Sequence, residues 1–255
     1  MEEYEVCKIF PKREEKIVDL VTREVSLAIY VNGKEIVTLL ASPMDIEELS
    51  VGFVFTAGLI KSFNEINKLT VDQESGIVYV ELRDKPLNPE LIFKREFTSN
   101  RGRETLFYNR VDGMHRSSEG SGITINRNQV FQIMQDFTNR SLGFKQTGGV
   151  HSAAIATREN ILIIKEDIGR HNAIDKVLGE ALMKDIDLKD KIILSSGRVS
   201  SEILLKIQKT PICMMISRGA PTDQAIKHAR NTKMTLIGFA RGQSMNVYNA
   251  RERIL

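Results

Sequence analysis

The sequence predicts an α/β protein made of a smaller α+β domain at residues 1–93 and a three-layer α/β domain at residues 127–255. Two observations predict this division. Before residue 86, short strand-like segments surround a single helical segment, whereas after residue 127 strand-like and helical segments alternate. Such alternation is typical of a largely parallel sheet with helices on both faces.

The smaller domain begins with a β-hairpin predicted around Asn32-Gly33, because both residues tolerate the positive φ angles of a tight hairpin turn. Ser42 is the predicted N-cap of the helix that follows, with Pro43 at its first position and Gly58 at its end. Two more short strands complete the domain, at residues 68–71 and 77–82.

A basic segment at residues 94–126 is predicted to connect the two domains. It is rich in arginine, glycine and serine and shows little hydrophobic periodicity. Two interpretations remain open, because a solvated linker and a mobile functional loop share this composition.

The larger domain is predicted from nine segments in the order helix, strand, strand, helix, strand, helix, strand, helix, strand. The clearest helix has apolar residues at positions 174, 177, 178, 181 and 182, the spacing of a buried helical face. The cytidine deaminase-like fold has the same order of elements, so we expect that fold here by analogy. The segments are 128–137, 152–156, 161–165, 174–182, 191–194, 200–208, 212–217, 221–231 and 234–240.

Four predicted turns at the carboxyl ends of strands each carry an arginine next to a glycine. Ligands of open α/β sheets bind at these ends, glycine permits close backbone approach, and arginine binds phosphate in bidentate geometry. The repeated pattern favours a phosphate-bearing ligand, although a single turn of this kind is more often an ordinary loop with a surface arginine. Three of the turns supply the candidate binding residues Gly169, Arg170, His171, Asn172, Gly197, Arg198 and Arg218.

The residues of a zinc deaminase are missing from the two helix starts where that chemistry would need them. Such an enzyme carries His-x-Glu at the first start and Pro-Cys-x-x-Cys at the second. Here the first reads Arg170-His171-Asn172-Ala173, and residues 196–200 contain no cysteine. The sequence therefore predicts no zinc site and argues against metal-dependent deamination.

Composition argues against nucleic-acid-binding, disulfide-rich and membrane proteins. A net charge of +3 over 255 residues argues against bulk nucleic-acid binding. Two cysteines, Cys7 and Cys213, are too few for a disulfide framework. No apolar run reaches the roughly 20 residues that span a bilayer, and the first residues do not resemble a signal peptide. We therefore expect a cytoplasmic protein that does not enter membranes.

Several segments together resemble the formate dehydrogenase accessory protein (FdhD/NarQ) family. The most specific is residues 166–176, Glu-Asp-Ile-Gly-Arg-His-Asn-Ala-Ile-Asp-Lys, and residues 195–202 form the second. Similar segments occur at residues 147–151, 220–222, 238–242 and 246–248, and in the first domain at residues 52–60. The resemblance thus extends from the first hairpin to the C-terminus.

This resemblance implies a cytoplasmic protein that serves the maturation of formate dehydrogenase. The family transfers sulfur from a cysteine desulfurase to the molybdenum bis(molybdopterin guanine dinucleotide) cofactor, which it binds, and its members are often homodimers. Formate dehydrogenase and a desulfurase are therefore the expected partners. The family's cofactor-binding segment corresponds here to Phe239, Ala240, Arg241, Gly242, Gln243 and Ser244.

The chain departs from the family at the sulfur carrier. The family has a Cys-x-x-Cys in the connector, whereas residues 117–122 here read Ser-Ser-Glu-Gly-Ser-Gly. Only a thiol can carry a persulfide, so no catalytic residue is transferred to this sequence. Cys213 lies in an apolar strand and is expected in the core, whereas Cys7 lies in a polar segment. Two alternatives to the family role follow: a cofactor-binding delivery module without sulfur transfer, and a sulfurtransferase that uses Cys7.

Overall fold

A computed structural model describes residues 1–83 and 122–255, together with the backbone of two short paired strands, β7 (Arg95–Phe97) and β8 (Thr105–Phe107). Most of the predicted connector at residues 94–126 lies outside the described residues, so the domain boundaries there stay a prediction. In the described part of the chain, no helix is long and apolar enough to cross a membrane.

The first 21 residues form a two-stranded antiparallel ribbon that was not predicted from the sequence. Strand β1 (Glu2–Phe10) pairs with β2 (Arg13–Val21) over nine residue pairs, from Glu2 opposite Val21 to Phe10 opposite Arg13. Charged residues occupy both faces of the ribbon and hide the period-2 apolar pattern by which strands are recognised.

A four-stranded sheet and one helix make up the rest of the N-terminal part. The sheet has the order β4-β3-β6-β5 and packs against α1 (Ile46–Thr56) around one apolar core. The predicted hairpin is confirmed, since Asn32 and Gly33 have φ angles of 48° and 76°. The strands are β3 (Val25–Val31), β4 (Lys34–Ala41), β5 (Ile66–Asp72) and β6 (Ile77–Leu82).

The prediction that Ser42 caps α1 is wrong. The N-cap is Asp45, which has a φ of 55° and makes no side-chain capping bond. Ser42 instead hydrogen-bonds to the turn before α4. Its hydroxyl accepts a hydrogen bond from the Ile168 N–H at 3.1 Å, and its own N–H donates to Asp167 at 3.0 Å. Tertiary contact across 125 residues of sequence overrides the local capping preference.

The C-terminal part is built on a six-stranded sheet with the order β10-β9-β11-β12-β13-β14. Four strands share one direction, whereas β9 and β14 run opposite to their neighbours. The hairpin predicted between the first two strands is confirmed, but β14 was not predicted. The strands are β9 (His151–Ala156), β10 (Ile161–Asp167), β11 (Ile192–Ser195), β12 (Met214–Ser217), β13 (Thr235–Arg241) and β14 (Ser244–Asn249).

Helices cover both faces of this sheet and give three layers. One apolar cluster joins one sheet face to α4, α5 and α6, and a second joins the other face to α2. Cys213 lies in the second cluster and is 1% exposed, as expected. The helices are α2 (Arg127–Arg140), α3 (Leu142–Thr147), α4 (Arg170–Met183), α5 (Ser201–Gln208) and α6 (Asp223–Asn231).

Helix α4 is packed between the large sheet and α1, and so joins the two parts of the molecule. The two helix backbones touch at Gly52 and Gly179. A Cβ atom on Gly52 would lie 1.8 Å from the carbonyl oxygen of Asp175, and one on Gly179 would lie 1.9 Å from that of Glu48. This crossing is therefore closed to any side chain larger than hydrogen.

Partly buried ion pairs reinforce the same junction. The Lys165 ammonium contacts Asp45 at 2.6 Å, Glu180 at 2.7 Å and Glu48 at 3.1 Å. Burial lowers the pKa of Lys165, but the bonds to these three carboxylates outweigh it and raise the pKa well above its usual range. The positions of α1, β10 and α4 are thus fixed together, and with them the turn that begins α4.

Candidate functional site

The four arginine- and glycine-bearing turns predicted from the sequence lie at one edge of the large sheet. Strands β10, β11, β12 and β13 run in the same direction, so their carboxyl ends meet there. His151 joins them, because β9 is antiparallel and begins opposite Asp167. Topology therefore gathers the candidate residues at the edge where open α/β sheets bind ligands.

A cavity of about 790 Å³ opens at this edge between α2 and the end of β13. Five of the predicted cofactor-binding residues line it: Arg218, Ala240, Arg241, Gly242 and Gln243. Phe239 and Ser244 flank this segment and are absent from the lining. The volume is within the usual range for a small-molecule site.

The opposite wall of the cavity comes from α2 and was not predicted from the sequence. Four amide side chains, Asn128, Gln132, Gln135 and Asn139, recur at helical spacing along one face, next to Phe131, Met134 and Thr138. The helix was predicted from its apolar face alone. The regular spacing of amides on its other face was the signal that could have identified this wall.

The chemistry of the lining suits a ligand that is both anionic and rich in hydrogen-bonding groups. Arg218 and Arg241 supply positive charge, and the amides offer donors and acceptors together. No carboxylate occurs among the described residues that line the cavity. A phosphate group can therefore lie beside the arginines without repulsion from this wall, while the amides and Phe131 face the remainder of the ligand.

The segment that enters the cavity has a strained backbone. Phe239 has a φ of 52°, an unusual value for a bulky side chain, and lies where the pairing of β13 with β14 shifts register. The Phe239 N–H donates to the Gly219 carbonyl at 3.1 Å, and the Arg241 guanidinium lies 5.7 Å from the Phe239 ring centre. Strain of this kind persists where surrounding contacts hold it and is frequent at binding sites.

The turns after β11 and β12 are locked to each other. The Ser217 hydroxyl donates to the Gly197 carbonyl at 2.6 Å, and a Cβ on Gly219 would lie 2.5 Å from the same oxygen. Val199 and Pro221 add a parallel bridge. Arg218 is thus held on a rigid double turn, whereas Arg198 on the adjoining turn is exposed and lies outside the cavity lining.

A second polar cluster surrounds the start of α4, away from the cavity. His151 lies three strands from Arg241, roughly 14 Å across the sheet. Its Nδ1 is 3.4 Å from the Ser196 hydroxyl, and His171 Nε2 is 3.4 Å from the Ser200 hydroxyl and 3.5 Å from Glu202. Eight of the predicted site residues therefore fall into two groups: five line the cavity, and Arg170, His171 and Gly197 lie in this cluster.

Asn172 and Gly169 hold the turn before α4 together. The Asn172 amide donates to the Leu40 carbonyl and to Asp167, each at 2.9 Å, and the Gly169 N–H donates to Asp167 at 2.8 Å. Both donor bonds of the Asn172 amide are thus made within the protein. A role of these two residues in ligand binding stays a prediction.

Burial, followed by the charges of Arg170 and His171, lowers the pKa of His151 below its usual value, against a weaker opposing effect of Asp167. We therefore expect Arg170→Gln to raise this pKa, whereas Arg198→Gln, on an exposed arginine, should leave it unchanged. NMR titration of the imidazole Cε1–H signals measures this, since the chain has only four histidines.

The same shift has a consequence for stability. Because the pKa of His151 is lower in the folded than in the unfolded protein, its contribution to the free energy of unfolding is fully present above the unfolded pKa of about 6.5. This contribution declines as the pH falls from the unfolded pKa towards the folded pKa. A titration midpoint at or above that of a model peptide would contradict the cationic environment assigned to His151.

Among residues 1–83 and 122–255, no three or more His, Cys, Asp or Glu side chains are arranged to hold a metal ion. Cys7 is exposed on β1 and is therefore accessible to reagents and partners. It lies in the regular strand β1, within the segment that the sequence shows to be polar.

Comparison with known proteins identifies the family of this chain. The profile of the FdhD/NarQ family matches residues 22–255. The sulfur carrier protein FdhD of Bacillus licheniformis is 40% identical over 237 residues, which cover 92% of this chain and 90% of that protein. That of Bacillus subtilis is 39% identical over 244 residues, covering 94% and 92%.

A solved structure has the same fold. It is described as a putative formate dehydrogenase accessory protein from Desulfotalea psychrophila, and it superposes with a TM-score of 0.79 at 24% sequence identity. The alignment covers 100% of this chain and 99% of that one. The architecture of the described residues therefore lies within a known fold.

Proposed function

The chain belongs to the FdhD/NarQ family, and from this membership we propose that it is an accessory protein for the maturation of formate dehydrogenase. In this role it binds the bis(molybdopterin guanine dinucleotide) form of the molybdenum cofactor as its client. The family's sulfur transfer from a cysteine desulfurase to that cofactor is the accompanying activity.

The observation that supports cofactor binding is the cavity between α2 and the end of β13. Its two arginines suit the phosphates of a guanine dinucleotide, and its amide wall can hydrogen-bond a purine base edge. Gly242 has a φ of 60°. No other atom lies within 4 Å of the position that a Cβ atom would occupy on Gly242, so a phosphate has room to approach the backbone there. The pterin end of so large a ligand would extend from the cavity along the sheet edge.

Sulfur transfer requires a thiol, and the chain has only Cys7 and Cys213. Cys213 is buried, which leaves Cys7 as the one accessible candidate. In the transfer, the Cys7 thiolate would attack the outer sulfur of a desulfurase persulfide. A Cys7 persulfide forms, and the desulfurase cysteine leaves as a thiolate. The alternative is a delivery module that binds the cofactor without carrying sulfur, which the missing Cys-x-x-Cys favours.

Further expectations complete the proposal. The partners are formate dehydrogenase and a cysteine desulfurase, the protein is a homodimer, and it acts in the cytoplasm. We also propose that the C-terminal part has the cytidine deaminase-like fold, because the observed helices and strands keep the order that suggested it, with α3 and β14 added.

Two assays separate the sulfur carrier from the delivery module. The first is restoration of formate dehydrogenase activity in cells that lack their own accessory protein, comparing the wild type with Cys7→Ser. The second is transfer of labelled sulfur from a desulfurase and cysteine to the purified chain. Restoration by both proteins without labelling supports the delivery module, and labelling that Cys7→Ser abolishes supports sulfur transfer. Failure of the wild type to restore activity would overturn the proposed function.

A further inference from the structure

The two arginines of the cavity between α2 and the end of β13 extend from backbone that the fold holds in place. Arg218 lies on the locked double turn after β12. Arg241 follows Phe239, whose N–H donates to the Gly219 carbonyl at 3.1 Å. A diphosphate that contacts these arginines therefore meets the same two charges whatever base it carries.

The amide side chains on the α2 wall are held much less firmly. All four are exposed: Asn128, Gln132, Gln135 and Asn139. In the part of the chain that the structure describes, the amides of Gln132 and Gln135 make no hydrogen bond to another protein group. The Asn172 amide at the start of α4 is a contrast, because both of its donor bonds are made within the protein. Gln132 and Gln135 can therefore rotate about their terminal torsion, whose energy profile is broad and roughly two-fold.

Rotation by half a turn exchanges the donor and the acceptor that an amide presents. In one orientation an amide pairs with the N1–H and O6 of guanine. In the other it pairs with N1 and the amino group of adenine, or with N3 and the amino group of cytosine. A carboxylate only accepts hydrogen bonds, so it suits two neighbouring donors, which among these three bases only guanine presents. Since the described lining contains amides and no carboxylate, the wall can match each of the three bases.

The exposure of the wall further reduces its power to reject a base. A site rejects an analogue by about 10⁴- to 10⁵-fold when the mismatch leaves a buried polar group unpaired. Water reaches the exposed amides of Gln132 and Gln135, so a mismatched base leaves them hydrated at little cost. Phe131 is partly buried in the same wall and adds an aromatic ring, and stacking on such a ring tolerates any base.

We propose that this cavity selects nucleoside diphosphates through their phosphates and accepts guanine, adenine and cytosine with affinities that differ by less than about tenfold. Arg218 and Arg241 provide the selective contacts, and the α2 wall hydrogen-bonds whichever base is present. The inference rests on the proposed function, because it takes the cavity as the nucleotide end of the cofactor site. It also extends that function, since pterin dinucleotides that carry a base other than guanine become clients as well.

Calorimetric titration of the full-length protein with GDP, ADP and CDP under one set of conditions is the first test. We expect three dissociation constants within about tenfold of one another. GDP binding that is more than about tenfold tighter than ADP or CDP binding would overturn the inference and leave the guanine cofactor role intact. Absence of binding by all three nucleotides would overturn the nucleotide site itself and the inference with it, so the two failures are distinguishable.

Guanosine is the matched ligand control, because it carries the base and the ribose of GDP without the phosphates. If the phosphates are the selected groups, guanosine should bind about 100-fold more weakly than GDP, or not measurably. Guanosine that bound as tightly as GDP would show that the base is the selected group, and would overturn the inference.

Variants of the two walls are the second test. Arg218→Gln is expected to weaken the binding of GDP, ADP and CDP by about tenfold or more. The double variant Gln132→Ala/Gln135→Ala alters only exposed side chains, and it should weaken all three nucleotides by one smaller common factor. Arg158→Gln, an exposed arginine outside the cavity, is the matched control. A double variant that lost more than about tenfold in GDP affinity relative to ADP affinity would show that α2 reads guanine, and would contradict the inference.

Discussion

Gly52→Ala is expected to lower the free energy of unfolding by about 3 kcal/mol or more, a large fraction of the stability of a typical domain. The added methyl would lie 1.8 Å from the Asp175 carbonyl oxygen, which belongs to the backbone of α4 and cannot rotate away. Helices α1 and α4 must therefore separate, and their separation opens the core on both sides of the crossing.

Gly179→Ala should have the same effect, since its methyl would meet the Glu48 carbonyl at 1.9 Å. Gly122→Ala is the matched control, because nothing lies within 4 Å of the added atom and no positive φ is involved. Urea unfolding followed by circular dichroism measures all three. If Gly52→Ala were as stable as Gly122→Ala, the close crossing of α1 and α4 would be wrong.

Lys176→Met is expected to cost about 3–5 kcal/mol of unfolding free energy. Lys176 and Asp167 are both fully buried and 2.7 Å apart, so removal of the ammonium leaves the carboxylate without its counter-charge. The remaining donors to Asp167 are the N–H groups of Ser42 and Gly169 and the Asn172 amide. These bonds are retained but do not replace a full charge.

The double variant Asp167→Asn/Lys176→Met tests the cause of this loss. A neutral amide keeps one acceptor for the turn and removes the buried charge, so part of the stability should return. Chemical denaturation of the two variants side by side gives the coupling between the residues. A double variant less stable than Lys176→Met alone would show that charge burial is not the origin of the effect.

Secondary structure could be predicted from the sequence wherever neighbouring residues or a regular hydrophobic spacing specify it. The Asn32-Gly33 turn sets its own hairpin, and the apolar spacing of α4 identifies a helix buried against the sheet. The convergence of the arginine turns also followed from sequence, because four strands that share one direction must end at the same edge.

The features that were not predicted from the sequence depend on distant partners. Serine is a residue type favoured at helix N-caps, but the hydroxyl and N–H of Ser42 both hydrogen-bond to the turn before α4. Strand β14 is polar and partly exposed, and only its pairing with β13 makes it a strand. The position of the amide wall depends on the packing of α2 beside Arg241, which no local pattern supplies.

The measurement that tests the central claim most directly is isothermal titration calorimetry of GDP against the wild type, Arg241→Gln and Arg158→Gln. Arg241 lines the cavity, whereas Arg158 lies exposed in the turn between β9 and β10 at the opposite edge of the sheet, and both changes remove one charge. Loss of a charge-assisted phosphate contact predicts binding about 10- to 100-fold weaker for Arg241→Gln and unchanged for Arg158→Gln. Equal affinity in all three proteins, or no binding by the wild type, would contradict a guanine-nucleotide site in this cavity.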